Sequence, residues 1–441
     1  MKRSLILFFA LAATVSPVTS SAATNRPLDN IAVEYVKLAL AVGAYSPGYI
    51  DAYYGPAEWK GKDADGVPRL VFPAAQMRKK AEAILKDLKA AAGESRPELE
   101  KLRSKFLAKQ MIALKAEIDV LSGTKFSFDQ ESKLFYDAIA PAHGRKGFEK
   151  TIKALEATLP GTGSIQERLT AFRKDYIIPA NKLPQVFNAA IAECRRRTLT
   201  HISLPPGESF KAEYVKDKPW GAYNWYKGNA YSVIEVNTDL PMPIDAPLRL
   251  AAHEGYPGHH VYNALLEQKL VKQRGWLEFT VYPLFSPQSL IAEGTANYGI
   301  ELVFPGEERL KFEKEVLYPL AGLDAQNAAK YALVQKLVGD LRYAENEAAR
   351  GFLDGKISRD KAMQWLTRYA LETPARAAKT IDFWNQYRSY IINYNLGQDI
   401  VQAYIEKTAG RDASLERKWQ VFYEILTTPR TPSGLQRQGK R

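Results

Sequence analysis

The chain has 441 residues, 46% hydrophobic and 25% charged, with a formal net charge of +12. These values exclude a chain too polar to fold, and the length implies one large helical body or two lobes around a cleft. The one cysteine, Cys194, excludes an intrachain disulfide and any multi-cysteine zinc site.

The first residues read as a secretory signal over 1–22. Lys2 and Arg3 precede a short apolar run, 5–15, and Ser20-Ser21-Ala22 offers small residues for cleavage. The run is shorter than the ~20 residues a membrane span needs. No cysteine follows it closely, which argues against a lipid anchor. The expected location is periplasmic or secreted, without a stable membrane anchor. Export and the dispersal of the basic residues argue against nucleic acid as a partner. The mature domain is expected over 23–428, with a disordered tail rich in Pro, Gly and Arg over 429–441.

Apolar spacing predicts a helix over 30–42, with Asn30 as its cap. Residues 45–56, rich in aromatics and turn formers, read as an ordered loop with its rings packed down. Helices are expected over 74–91, 98–121, 129–140 (capped by Asp129), 148–159, 164–174 and 183–199. His143 and His201 stand alone in loops and read as unlinked to a metal. Cys194 reads as a buried thiol. Beyond Pro205 the composition turns to Gly, Pro, Trp and Tyr. Residues 231–237 alternate as a strand, and 220–229 read as its hairpin partner and turn. Pro247 opens the next helix, and another is expected over 289–303. Later helices are expected to about 353 and over 358–371, 374–406 and 414–427.

The centre of the chain is His253-Glu254-Gly255-Tyr256-Pro257-Gly258-His259-His260, which holds three of the five histidines. Imidazoles and a carboxylate are zinc ligands. The usual zinc-peptidase spacing is H-E-x-x-H on one helix, but here position i+4 is Pro257. On an unbroken helix His260 would lie ~10 Å along the axis from His253, too far for one ion. Pro257 disturbs the preceding turn, Gly258 tolerates the change, and a widened π-type turn can absorb extra residues. His259 is therefore the preferred second ligand, with His260 behind it or facing substrate; the two assignments can also be reversed. Glu293, on the following helix beside Gly294 and Ala296, is the best third ligand, with Glu301 as an alternative. Two His and one Glu leave a coordination position open for water, the pattern of a catalytic zinc site. Glu254 would then serve as general base.

The stretch resembles the H-E-x-x-P-G-H-H signature of the bacterial domain of unknown function 885 family, a group placed among zincin-like metallopeptidases. Glu293-Gly-Thr-Ala-Asn-Tyr298 is similar to that family's E-G-W-A-x-Y segment, with Thr295 where Trp is usual. Tyr394-Asn-Leu-Gly-Gln398 is similar to its Y-K-I-G-Q segment, with Asn395 for Lys. The early segments V-K-L-A-L and P-G-Y-I-D-A-Y-Y-G-P are also similar, so the resemblance covers most of the mature chain. It implies metal roles for His253, Glu293 and His259 or His260, and a catalytic role for Glu254. It also implies a mainly α, zincin-like, elongated body with a deep groove. The small sheet just upstream of the histidines belongs beside the metal helix, where an edge strand can hold an extended peptide. With the resemblance, Tyr394 is expected to stabilise the oxyanion and Arg388 to clamp a substrate carboxylate.

The expected activity is zinc-dependent hydrolysis of peptide or peptide-like amide bonds, carboxypeptidase-like or oligopeptidase-like, through a zinc-activated water and Glu254. The alternative is a non-catalytic periplasmic binding protein that keeps the groove.

Overall fold

The computed structural model describes residues 27–60, 71–91, 96–218 and 220–437. The expected signal segment and the last four residues lie outside them. The chain is mainly α-helical, with two small sheets. No described helix is long and apolar enough to cross a membrane.

Helices Pro27–Gly43, Ala74–Ala91 and Glu98–Leu121 pack together around their own apolar cluster, which includes Tyr35, Val36, Leu88 and Leu114. The first begins three residues before Asn30, at a proline whose missing N–H costs nothing at a helix start. Ser127, not Asp129, caps the next helix: its hydroxyl accepts from the Gln130 N–H, and the Gln130 side chain accepts from the Ser127 N–H. That helix ends at Tyr136, short of 140, because Asp137 turns left-handed.

Asp137 also corrects the expected disordered tail. Its carboxylate accepts from Lys109 and, at 3.0 Å, from the Ser433 N–H. Residues Pro432–Arg437 form a helix whose Leu435 is buried in the main core. Composition misled here because Pro starts this helix and distant partners complete it.

The 231–237 strand forms as expected, and its partner is Ala222–Gly228. Here β1 is Ile50–Tyr53, β2 Ser209–Val215, β3 Ala222–Gly228, β4 Tyr231–Asn237 and β5 Val281–Pro283. One sheet has the order β2-β4-β3, with β2 parallel and β3 antiparallel to β4; β1 and β5 pair antiparallel. The β3–β4 turn is two residues, Asn229 and Ala230, both with positive φ. Glu267, at the C-terminal end of the histidine helix, accepts from the Asn229 and Ala230 N–H groups and from the Tyr226 hydroxyl. The sheet is thereby clamped to that helix, and β3 is the edge strand facing the cleft.

The expected helix over 374–406 is two helices, Pro374–Tyr387 and Ile392–Ala409. Arg388, at φ 50, breaks them. Glu131 holds the break by accepting from Arg388 Nε, the Ser389 N–H and the Ser389 hydroxyl.

Helix Pro287–Val303 crosses Ile392–Ala409 at Gly294 and Gly397. A Cβ on Gly294 would lie 2.4 Å from the Gly397 carbonyl carbon, and backbone cannot move aside. Gly294→Ala is therefore expected to destabilise the fold by about 1–3 kcal/mol or more, as overpacking does. The midpoint of urea denaturation measures it; an unchanged midpoint would contradict this packing.

Candidate metal centre

Local sequence builds the site from a helix that breaks and restarts. Residues Ala246–Leu250 are α-helical and Ala251–Gly255 form a π-type turn, with the Tyr256 N–H donating to the Ala251 carbonyl. The chain leaves the helix at 256–258 and re-enters it at His259. The Gly258 N–H donates to the Ala252 carbonyl, and a Cβ on Gly258 would sit 1.8 Å from the His253 carbonyl oxygen. Only glycine fits that approach. The widened turn expected from Pro257 is present, and a non-helical step follows it.

The result brings the His253 and His259 rings together at right angles, with Nε2 atoms 3.1 Å apart. Glu293 Oε2 lies 3.3 Å from His253 Nε2 and 3.7 Å from His259 Nε2. These donor atoms all lie within 4.8 Å of one another. Glu301 is exposed and takes no part.

The hydrogen bonds around His253 and Glu293 show which of their atoms face the site as lone pairs. Asn297 Nδ2 donates to the Tyr394 carbonyl at 2.8 Å, so its Oδ1 faces His253 Nδ1 at 2.9 Å. His253 must carry its proton on Nδ1, which leaves Nε2 as a lone pair. The Tyr390 hydroxyl donates to Glu293 Oε1 at 2.9 Å, while Glu293 Oε2 is buried without a hydrogen-bond donor. A buried carboxylate oxygen without a donor, beside two imidazole nitrogens, fits a cation. The electrostatics agree. Burial pushes the His259 imidazole down, but Glu293, then Glu254 and Asp51, overcome this and lift it to about 9. Burial pushes Glu293 up, and His259 and His253 overcome this to hold it well below the usual carboxylate range.

Glu254 is 5% exposed, with its Oε1 4.0 Å from His253 Nε2. Its carbonyl accepts from Asn224 Nδ2 of β3 at 2.8 Å. Together, His253, Glu254, His259, Glu293 and Tyr394 line a cavity of about 440 Å³. The edge strand β3 contributes Tyr223 and Trp225 to its wall, and β1 contributes Asp51. Residues 45–56, expected as a packed loop, thus form part of the cleft.

Two expected substrate contacts are corrected. His260 is fully buried. Its Nδ1 meets the Ser232 hydroxyl at 2.9 Å and its Nε2 meets Glu208 at 3.1 Å. It pins the restarted helix to the sheet and does not face the cleft. Arg388 is spent on Glu131 and on the Phe126 carbonyl, outside the residues lining the cavity. Burial pushes the Cys194 thiol up, as befits an inert buried group. His201 is paired with Glu416, and His143 stacks on Tyr343.

Sequence reasoning missed Asn297, Tyr390 and Asp51. Asn297 was within reach, because it follows Glu293 by one turn on the same helical face. Tyr390 and Asp51 carried no local signal.

No protein-family model matches the sequence, and no curated protein matches it. Among solved structures, the fold is similar to that of the "putative lipoprotein from Colwellia psychrerythraea", with a TM-score of 0.54 at 15% identity over 82% of this chain and 72% of that one. A second protein so described, of unknown function, from Shewanella oneidensis gives a TM-score of 0.41 at 11% identity, over 80% and 72%. An M32 carboxypeptidase from Deinococcus radiodurans R1 gives 0.36 at 15% identity, over 92% and 91%. The likeness to the Colwellia protein is one of fold.

Proposed function

We propose that the chain is a zinc-dependent hydrolase of peptide or peptide-like amide bonds. The observation that carries this reading is the convergence of His253, His259 and Glu293, with Glu254 beside them, in one cleft. His253 Nε2, His259 Nε2 and Glu293 Oε2 would hold the ion. A zinc ion bound there supplies a water of pKa about 7 and polarises a carbonyl.

The remaining work falls to side chains. Glu254 takes a proton on the cleft side and returns it to the leaving amine. Tyr394, which lines the cavity, offers its hydroxyl to the oxygen that gains charge. Tyr390 and Asn297 hold Glu293 and His253 in register. Placement in a zincin-like group and in the domain of unknown function 885 family belongs to the same proposal, and rests on the motifs at 253–260, 293–298 and 394–398. Periplasmic or secreted location rests on the signal-like character of 1–22.

Metal analysis of the purified protein tests the reading. About one zinc per chain is expected; a protein with no measurable zinc affinity would overturn it. Asn297→Ala is expected to weaken zinc binding by about 10–100-fold, the usual effect of removing the partner that orients a ligating imidazole. Competition against a chelating dye measures this, and unchanged affinity would remove Asn297 from its role.

A further inference from the structure

The metal-binding residues leave one charge in the cleft unused. Asp51, on β1, is partly buried and lines the same cavity. The Tyr223 hydroxyl donates to its Oδ1. Among the described residues Asp51 has no Lys or Arg partner, and the described residues lining the cavity include no Lys or Arg. This holds in a chain with a formal net charge of +12. A carboxylate withdrawn from water without a cation beside it is costly. A divalent ion at the three donor atoms does not relieve it. The charges of Glu254 and Glu293 already match that ion, which leaves Asp51 in surplus. Burial lifts Asp51 to about 7; His259 pulls it down, while Glu293 and Glu254 push it further up.

The surroundings of Asp51 are aromatic. Tyr282 of β5 stands opposite Ala52, the next residue on β1. Tyr387 lines the same cavity, and after burial the charge of Asp51 adds to the rise of both hydroxyls. Tyr223 packs against Trp225 with ring centroids 4.5 Å apart. A carboxylate among tyrosine side chains, with a hydroxyl already turned to it, is the chemistry that takes an ammonium group. A substrate carboxylate would instead meet Asp51, Glu254 and Glu293 with no described Lys or Arg in the cavity to receive it.

We propose that Asp51 and the rings of Tyr223, Tyr282 and Tyr387 form a subsite for a substrate ammonium group, so that the cleft selects peptides carrying a positive charge near the bond to be cut. This rests on the reading of the cleft as a peptide-hydrolase site. It disfavours carboxypeptidase action, which needs a cation for the terminal carboxylate. The α-amino group of a peptide and a lysine side chain share the required chemistry.

Matched peptides separate the two sources. One pair differs only in a free or acetylated N-terminus. A second, acetylated set carries lysine or norleucine at each position in turn. With zinc-loaded protein, kcat/KM for the charged member is expected to exceed that of its neutral twin by about 30-fold. Asp51→Asn is expected to bring the ratio below about three-fold. A response in the first pair identifies the α-amino group, and one in the second set identifies lysine. Equal rates for the twins, or a ratio unmoved by Asp51→Asn, overturn the subsite. If Asp51→Asn does not fold, Tyr387→Leu tests the aromatic half; it must lower the ratio at least about three-fold.

Calorimetric titration of zinc-loaded Glu254→Gln protein with the same peptides keeps the two readings apart. Charged twins that bind about ten-fold tighter through Asp51, with no cleavage by the wild type, sustain the subsite and sink the hydrolase. Cleavage without charge preference sinks the subsite and sustains the hydrolase.

Discussion

Glu254→Gln protein is expected to keep its zinc and to lose about 10³-fold in kcat on whatever peptide the wild type cleaves. Glu254 lines the cleft directly after His253, yet lies outside the group of converging donor atoms. Asn224 holds its carbonyl, which fixes where the side chain starts. Glutamine has the same shape and accepts no proton at neutral pH, so metal content and turnover part company. Zinc stoichiometry and cleavage rate on one preparation measure both. Loss of zinc would make Glu254 a ligand. Undiminished turnover would remove the general base, and absence of turnover in both proteins would favour the binding-protein alternative.

The second large effect separates two adjacent histidines. His259→Ala is expected to weaken zinc binding by more than the about 100-fold that follows from losing a ligand's supporting partner, since it deletes one of three donor atoms. His260→Ala is expected to keep zinc near one per chain and to lower stability by about 2–4 kcal/mol. Its imidazole is fully buried, and its removal leaves the Ser232 hydroxyl without its partner in the interior and takes one of three partners from Glu208, which keeps Tyr256 and Arg195. Zinc stoichiometry and the urea midpoint measure the two outcomes. Zinc retained by His259→Ala, or lost from a folded His260→Ala protein, would reverse the assignment.

The geometry of the His253–His259 pair is largely legible in the residues between them. Pro257 and Gly258 interrupt a helix that must bring two imidazoles together, and a π-type turn is the known way to absorb the extra residues. The structure adds the reason for Gly258, which is the approach of the His253 carbonyl. The substrate-facing role expected for His260 failed because its neighbours come from the β2–β4 sheet and the segment before it, 28 and 52 residues away in sequence. No local pattern announces such a pairing. Arg388 failed for a similar reason. Its local sequence suggests a helical residue with a free guanidinium, but Glu131, 257 residues earlier, claims it and the helix breaks there.

By itself the sequence determined the local elements: the 98–121 and 183–199 helices, the 231–237 strand, and the broken helix carrying His253 and His259. Side-chain periodicity, capping chemistry and Pro–Gly interruptions act over a few residues, so one stretch of chain contains their whole cause. Only the tertiary structure decided that β2 runs parallel beside β4, that the C-terminal helix docks on Asp137, and that Asp51 enters the cleft to meet Tyr223, 172 residues away. Those contacts depend on how packed helices and sheets close around the buried core, and that closure is a property of the whole chain.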